Sequence, residues 1–211
     1  MYKKVLCLSV LVLGLCQLTL ADDLGSNDLS SGVNTSTDYN PGIYFGGQFG
    51  AANLHYSSKY TGSRNSYDDK YKFAARGYAG YSFNPFISLE LGYDYYGYPK
   101  FKDDQTGNTQ NFLQQGVDLM AKANLPLDYG FGVYVKGGLA WVFRGALNSN
   151  AGTFGAGKDA NNTFTPVGAL GVNYWFAPNI ALDLCWTKTM TVSDLPTIDL
   201  FTAGFIYKIN L

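Results

Sequence analysis

There is little in this sequence from which to build a catalytic or metal centre. Its 211 residues hold one histidine, His55, and three cysteines. A single histidine rules out a metal site built on clustered histidines and makes a Ser-His-Asp arrangement hard to assemble. Two of the cysteines, Cys7 and Cys16, fall in Met1–Ala21, which reads as a secretory signal peptide. Lys3 and Lys4 give its basic start, Val5 to Leu18 its apolar stretch, and Thr19-Leu20-Ala21 its small-residue cleavage site. Leu15 stands where lipid attachment at Cys16 would need a small residue, which argues against a lipoprotein. Cleavage after about Ala21 leaves only Cys185, so no internal disulfide can form. Stability must then come from packing and from hydrogen-bonded ladders.

Charge of either sign is also scarce. The formal net charge is −1, and loss of Lys3 and Lys4 takes it to about −3. That is too mild to imply a nucleic-acid partner. No helix-period segment of useful length follows the signal peptide. The apolar stretch inside it is itself too short for a good membrane-spanning helix.

What the chain does have is strand-like alternation. Residues 22–41 are rich in Ser, Asn, Asp and Gly and read as a mobile polar leader. Residues 42–211 are rich in aromatics and glycine and fit one domain. Eight alternating segments are expected at 43–54, 71–83, 86–96, 113–125, 131–144, 164–176, 180–190 and 198–211. Their joints are tight at Asn84-Pro85, Pro126–Gly130 and Ala177–Asn179, long and polar at 55–70, 97–112 and 145–163, and intermediate at 191–197. Alternating short and long connections describe an all-β, eight-stranded antiparallel up-and-down barrel, with quiet turns at one rim and loops at the other.

The faces of these segments decide what solvent the barrel meets. Successive side chains on a strand point to opposite faces. With the apolar parity taken as outward, Lys72, Arg76, Glu90, Asp94, Asp118, Lys122, Lys136, Arg144, Asp183 and Lys208 point inward. Only Lys188 and Asp199 have outward parity, and both lie beside the 191–197 loop, where a charge facing lipid costs about 0–1 kcal/mol instead of about 2–4 at the midplane. A water-soluble barrel would show the reverse. The pattern predicts a transmembrane barrel. Outward aromatics form two girdles: Phe45, Tyr81, Phe83, Phe131, Tyr174, Phe176 and Tyr207 toward the turns, and Tyr93, Tyr95, Trp141, Phe143 and Trp186 toward the loops. Phe205, Tyr207, Ile209 and Leu211 carry the alternation to the last residue, as outer-membrane barrels do, with Leu in place of the common terminal aromatic.

Gly77-Tyr78, Asn84-Pro85 and Glu90-Leu91-Gly92-Tyr93-Asp94 resemble the second hairpin of the OmpA-type transmembrane domain. Gly116-Val117-Asp118-Leu119, Ala121-Lys122 and Tyr134-Val135-Lys136-Gly137-Gly138 resemble its next two strands. Thr165-Pro166-Val167, Gly171-Val172-Asn173-Tyr174 and Asn179-Ile180-Ala181 continue the ordered set, which covers roughly 42–211. The resemblance implies a bacterial outer-membrane location and a lumen network of charges that blocks or gates a narrow channel. Glu90, Lys122 and Lys136 match charged positions of that network. Asp183 stands where the family has a basic residue and Asn173 where it has an acidic one, so the family's gating pair is not reproduced. The family's separate peptidoglycan-binding domain is not expected, since the sequence stops with the last strand.

An eight-stranded barrel has an interior that side chains just fill. Tyr44, Gln48, Arg76, Tyr78, Glu90, Asp118, Lys122, Tyr134, Lys136 and Asp183 are expected to fill it. Glu90 or Asp183 would pair with Lys122, Lys136 or Arg76, while Asp94 and Asp118 add further acidic partners. Gly152 and Gly157-Lys158 mimic a phosphate-binding loop, but Asp159 replaces the magnesium-binding Ser or Thr and no helix follows. Asn161-Asn162-Thr163 fits a glycosylation sequon without force in a bacterial envelope protein, and Cys185 reads as a buried inert thiol. A lipid A deacylase would need His55 beside a rim serine and a carboxylate. No enzyme, cofactor or metal is expected. The chain reads as an envelope-integrity barrel, closed or narrowly conducting. The rival reading is an adhesin whose loop residues Tyr56, Tyr60, Arg64, Tyr67 and Tyr98 form a binding surface, because Tyr and Arg carry much interface energy. The expected partners are outer-membrane lipid and lipopolysaccharide, the barrel-assembly machinery, and host surface molecules in the rival reading.

Overall fold

The computed structural model describes residues 41–55, 65–67, 71–103, 109–145, 161–190 and 196–210. The signal peptide, the leader to residue 40, Tyr56, Tyr60, Arg64, the Gly152–Lys158 stretch and Leu211 lie outside the described residues. The strands are β1 (Gly42–Leu54), β2 (Asn65–Tyr67), β3 (Tyr71–Ser82), β4 (Ile87–Gly97), β5 (Lys100–Asp103), β6 (Thr109–Asn111), β7 (Gln114–Pro126), β8 (Phe131–Arg144), β9 (Asn161–Ala177), β10 (Ile180–Thr189) and β11 (Ile198–Asn210). Eight of them close into a barrel in the order β1-β11-β10-β9-β8-β7-β4-β3, every pairing antiparallel. Each segment expected from the alternation falls on one of these eight strands. The first two long connections are more structured than a polar loop: β2, β5 and β6 form a three-stranded sheet. The strand expected at 164–176 begins earlier, at Asn161, because Arg144↔Asn161 through Trp141↔Phe164 continue the ladder with β8.

Turn chemistry fixes one rim. The Asn84 side chain accepts from the Phe86 and Ile87 amides at 2.9 and 2.7 Å and closes the β3–β4 turn. A single 3-10 turn, Asp128–Gly130, joins β7 to β8. Gly130 holds φ +81° there, and a Cβ on it would meet the Trp175 carbonyl at 2.6 Å, so the position requires glycine. Gly42 pairs with both Asn210 and Ser82, which sets the first and last strands on this same rim. A 13-residue strand such as β1, tilted by about 40°, rises roughly 33 Å, enough to cross an apolar band about 25 Å tall.

The two faces carry opposite chemistry. On the outer wall Phe45, Phe49, Phe73, Leu91, Leu119, Leu139, Leu170, Leu184 and Phe205 are exposed. The inner wall buries Gln48, Arg76, Glu90, Asp94, Asp118, Lys122, Lys136 and Asp183. Apolar groups outside and ionised groups enclosed make a wall that hydrocarbon, not water, solvates.

Candidate functional site

The half of the lumen nearer the turns is built from cross-strand pairs of tyrosine and glycine. Tyr44 faces Gly80, Tyr78 faces Gly46, and Tyr134 faces Gly171 in register. A Cβ on any of these glycines would run into the ring of its partner. Each ring therefore lies along the sheet over a bare backbone instead of standing up into the lumen. That posture aims the hydroxyls: Tyr44 donates to Glu90 Oε1 at 2.9 Å, Tyr78 to Asp183 Oδ2 at 2.7 Å and Tyr134 to Asp183 Oδ1 at 2.6 Å. The rings also present faces to the cations. Lys136 Nζ lies 4.8 Å from the centroids of both Tyr78 and Tyr134, and Lys122 Nζ lies 4.2 Å from that of Tyr134. The sequence places all three tyrosines inward, but the opposed glycines become visible only once the register is known.

Two carboxylates organise the network by different means. Glu90 collects cations: Lys136 donates to Oε2 at 2.6 Å, Lys122 lies 3.6 Å from Oε1, and Arg76 Nη2 lies 4.0 Å from Oε2. Asp183, expected as an alternative ionic partner, is instead satisfied by neutral donors. Besides the two tyrosines, Gln48 Nε2 donates to Oδ2 at 2.7 Å, and Gln48 is in turn held by the Thr202 hydroxyl at 3.0 Å. Three hydrogen bonds to one carboxylate stabilise its charge without a cation. Arg76 turns away from Asp183 to the other pair. Its Nη1 donates to Asp94 at 2.9 Å and to Asp118 Oδ2 at 2.5 Å, and its Nη2 donates to Asp118 Oδ1 at 2.9 Å. The fork of a guanidinium suits this bridging of two carboxylates. Gly92, which pairs with Asp118, leaves space for it: a Cβ there would meet Arg76 Nη2 at 2.5 Å.

Above Arg76 the lumen changes character. Ala52, Leu54, Ala74, Tyr96, Met120, Ala140, Val142, Val167, Ile198 and Leu200 form one buried apolar cluster. This corrects the expectation of a polar interior throughout. The Glu90–Arg76 network lies to the turn side of most of this cluster, whose loop end is packed like an ordinary protein core. Short inward stretches such as Ile198 and Leu200 in β11 carry the signal, but alternation assigns them a parity and not a height.

At the loop rim the two outward charges meet each other. Lys188 and Asp199 are in register, with Nζ 3.2 Å from Oδ1; Trp186 Nε1 donates to the same oxygen at 3.3 Å, and His55 Nε2 lies 2.7 Å from Oδ2. Asp199 thus joins His55, Lys188 and Trp186 in one rim cluster. Among the described residues no group of histidine, cysteine, aspartate and glutamate could hold a metal ion. Cys185 is buried and free beside Thr187. Tyr98 is exposed and packs edge-on against Tyr95. Tyr67 sits in β2 and Arg144 ends β8.

The OmpA-like transmembrane domain family model matches residues 39–210. The chain belongs to that family. Outer membrane protein A of Salmonella typhi is 32% identical to it over 144 residues, which cover 65% of this chain and 40% of the relative. The chain therefore spans about two fifths of such relatives. Among solved structures, outer membrane protein OprG of Pseudomonas aeruginosa aligns with a TM-score of 0.56 at 12% identity, over 82% of this chain and 97% of that one. Neisserial surface protein A aligns with a TM-score of 0.53 at 16% identity, over 79% and 97%. The OmpA-like barrel is an outer-membrane protein, so its turn rim faces the periplasm and its loop rim the exterior.

Proposed function

We propose that this OmpA-like barrel is a non-enzymatic structural element of the outer membrane whose lumen is sealed. One observation carries the reading. Two different seals lie in series: an ionic layer in which Glu90 is 0% and Arg76 2% exposed, and beyond it an apolar layer in which Ile198 is 0% exposed. An ion entering from the periplasm would have to displace Lys122 and Lys136 from Glu90 and then cross a packed hydrocarbon layer. Breaking ion pairs alone would not open a path. The outer wall supplies the complementary property, a continuous apolar surface that lipid acyl chains solvate.

Planar-bilayer recordings and an envelope assay test the reading together. The purified wild-type barrel should add no conductance steps, and a strain lacking the protein should become more permeable to detergents. A barrel with both of its first two long loops trimmed should restore the envelope. Well-resolved wild-type conductance would overturn the sealed lumen. Restoration only by the untrimmed barrel, with loss of cell binding on trimming, would favour the adhesin reading.

A further inference from the structure

At the turn rim the lumen opens into a cavity of about 250 Å³ lined by Tyr44, Ser82, Ser88, Lys122, Asn124, Asn173, Trp175 and Lys208, with prolines and Ile206 completing the wall. Among the described residues that line it are two ammonium groups and no carboxylate. Glu90, the acid nearest Lys122, stands behind that residue, 3.6 Å from its ammonium. The described lining of the mouth is thus positive.

A relay of amides adds an unmet acceptor. The Pro85 carbonyl can only accept, and Asn124 Nδ2 donates to it at 3.3 Å. Asn124 Oδ1 therefore faces Asn173, which must donate its Nδ2, here at 3.1 Å. That leaves Asn173 Oδ1 as the free end of the relay. Asn173 is 3% exposed, and its Oδ1 has no hydrogen-bond partner. A buried acceptor without a donor is costly, and such groups in folded proteins usually meet water or a ligand. Ser82 accepts from Ser88 at 3.1 Å, so the proton of Ser82 is left to donate elsewhere along the same wall.

We propose that this mouth binds a small oxyanion that carries its own hydrogen-bond donor. The oxyanion would face Lys122, Lys208 and Ser82, and its N–H or O–H would donate to Asn173 Oδ1. Hydrogen phosphate has this chemistry, and so does a chain-terminal carboxylate with its adjoining amide. The volume accommodates a ligand of that size.

Titration of the full mature chain, refolded in lipid nanodiscs, tests the site through the NMR signals of the Asn173 and Asn124 side-chain amides. The probes are inorganic phosphate, N-acetylglycine and acetate. Phosphate or N-acetylglycine should shift both amides saturably, and acetate, which has no donor, should bind at least tenfold more weakly. Saturation by phosphate alone assigns a free anion, and by N-acetylglycine alone a peptide terminus. Asn173→Asp should weaken binding at least tenfold by placing a negative charge at the relay's end, and Lys208→Gln should weaken it as well. Should Asn173→Asp fail to fold on a heat-modifiability gel, Asn173→Ala takes its place with the same expected loss. No saturable shift in the wild type, acetate binding as tightly as whichever probe saturates, or unchanged affinity in the Asn173 variant would overturn the proposal.

Discussion

Lys136 Nζ lies 2.6 Å from Glu90 Oε2, which joins β8 to β4 through the lumen although β7 separates them in the sheet. A ladder alone fixes only neighbours. This pair, with Arg76 of β3 bridging Asp94 of β4 and Asp118 of β7, holds the barrel cross-section against flattening. Glu90→Gln would leave Lys122 and Lys136 in the interior facing a neutral amide. The expected loss is about 3–5 kcal/mol, the usual cost of stranding one partner of a buried pair. Urea unfolding in lipid vesicles reads it, as a lower midpoint. Adding Lys136→Met to the variant should recover part of that loss.

Arg76 makes a sharper case, because its removal strands two carboxylates. Arg76→Met should destabilise by at least as much as Glu90→Gln, and Asp118→Asn in the same chain should partly rescue it. Shared partners make the two changes non-additive, so a double-mutant cycle should give a coupling of about 0.5–3 kcal/mol. Purely additive effects would mean that the Arg76 bridge does not hold in the membrane.

The architecture is legible in the sequence because a barrel writes its two faces into alternate residues. Lys188 and Asp199, the two exceptions to the inward rule, were placed at the loop rim by sequence, and they turn out to be each other's cross-strand partner. What alternation could not give is height and register. Nothing in the parity of Val142 or Leu200 separates an apolar layer from the ionic layer below it. Nothing in the parity of Tyr134 reveals that Gly171 lies across from it. The preference of Asp183 for Gln48, Tyr78 and Tyr134 over a lysine is likewise a matter of which strands bring which groups to one level.

The glycines opposite the tyrosines should be intolerant of the smallest substitution. A Cβ at position 171 would collide with the Tyr134 ring and with the Leu184 carbonyl. Gly171→Ala is expected to cost about 1–3 kcal/mol as the ring is forced off its rotamer, and to lose the Tyr134–Asp183 hydrogen bond. Gly137 pairs with Gly168 on the outer wall and meets nothing within 4 Å of an added Cβ. Gly137→Ala is the matched control and should leave the unfolding midpoint close to wild type.

The same charge should have different consequences at different heights of the outer wall. Lys188 is 47% exposed at the rim, where its ammonium meets Asp199 and headgroups. Removing the pair by Lys188→Gln should change stability by about 0–1 kcal/mol, the range for exposed ion pairs. Leu119 sits at the middle of β7, is 51% exposed and faces Leu91 and Leu139 across its two ladders. Leu119→Arg would place a guanidinium at mid-height, in hydrocarbon, at a cost of about 2–4 kcal/mol. Unfolding midpoints in vesicles should therefore fall much further for Leu119→Arg than for Lys188→Gln. In a detergent with a polar, water-penetrated shell the difference should shrink, because the penalty belongs to the lipid and not to the sheet. An equal effect in both environments would assign the cost to local packing and would move the membrane band away from Leu119.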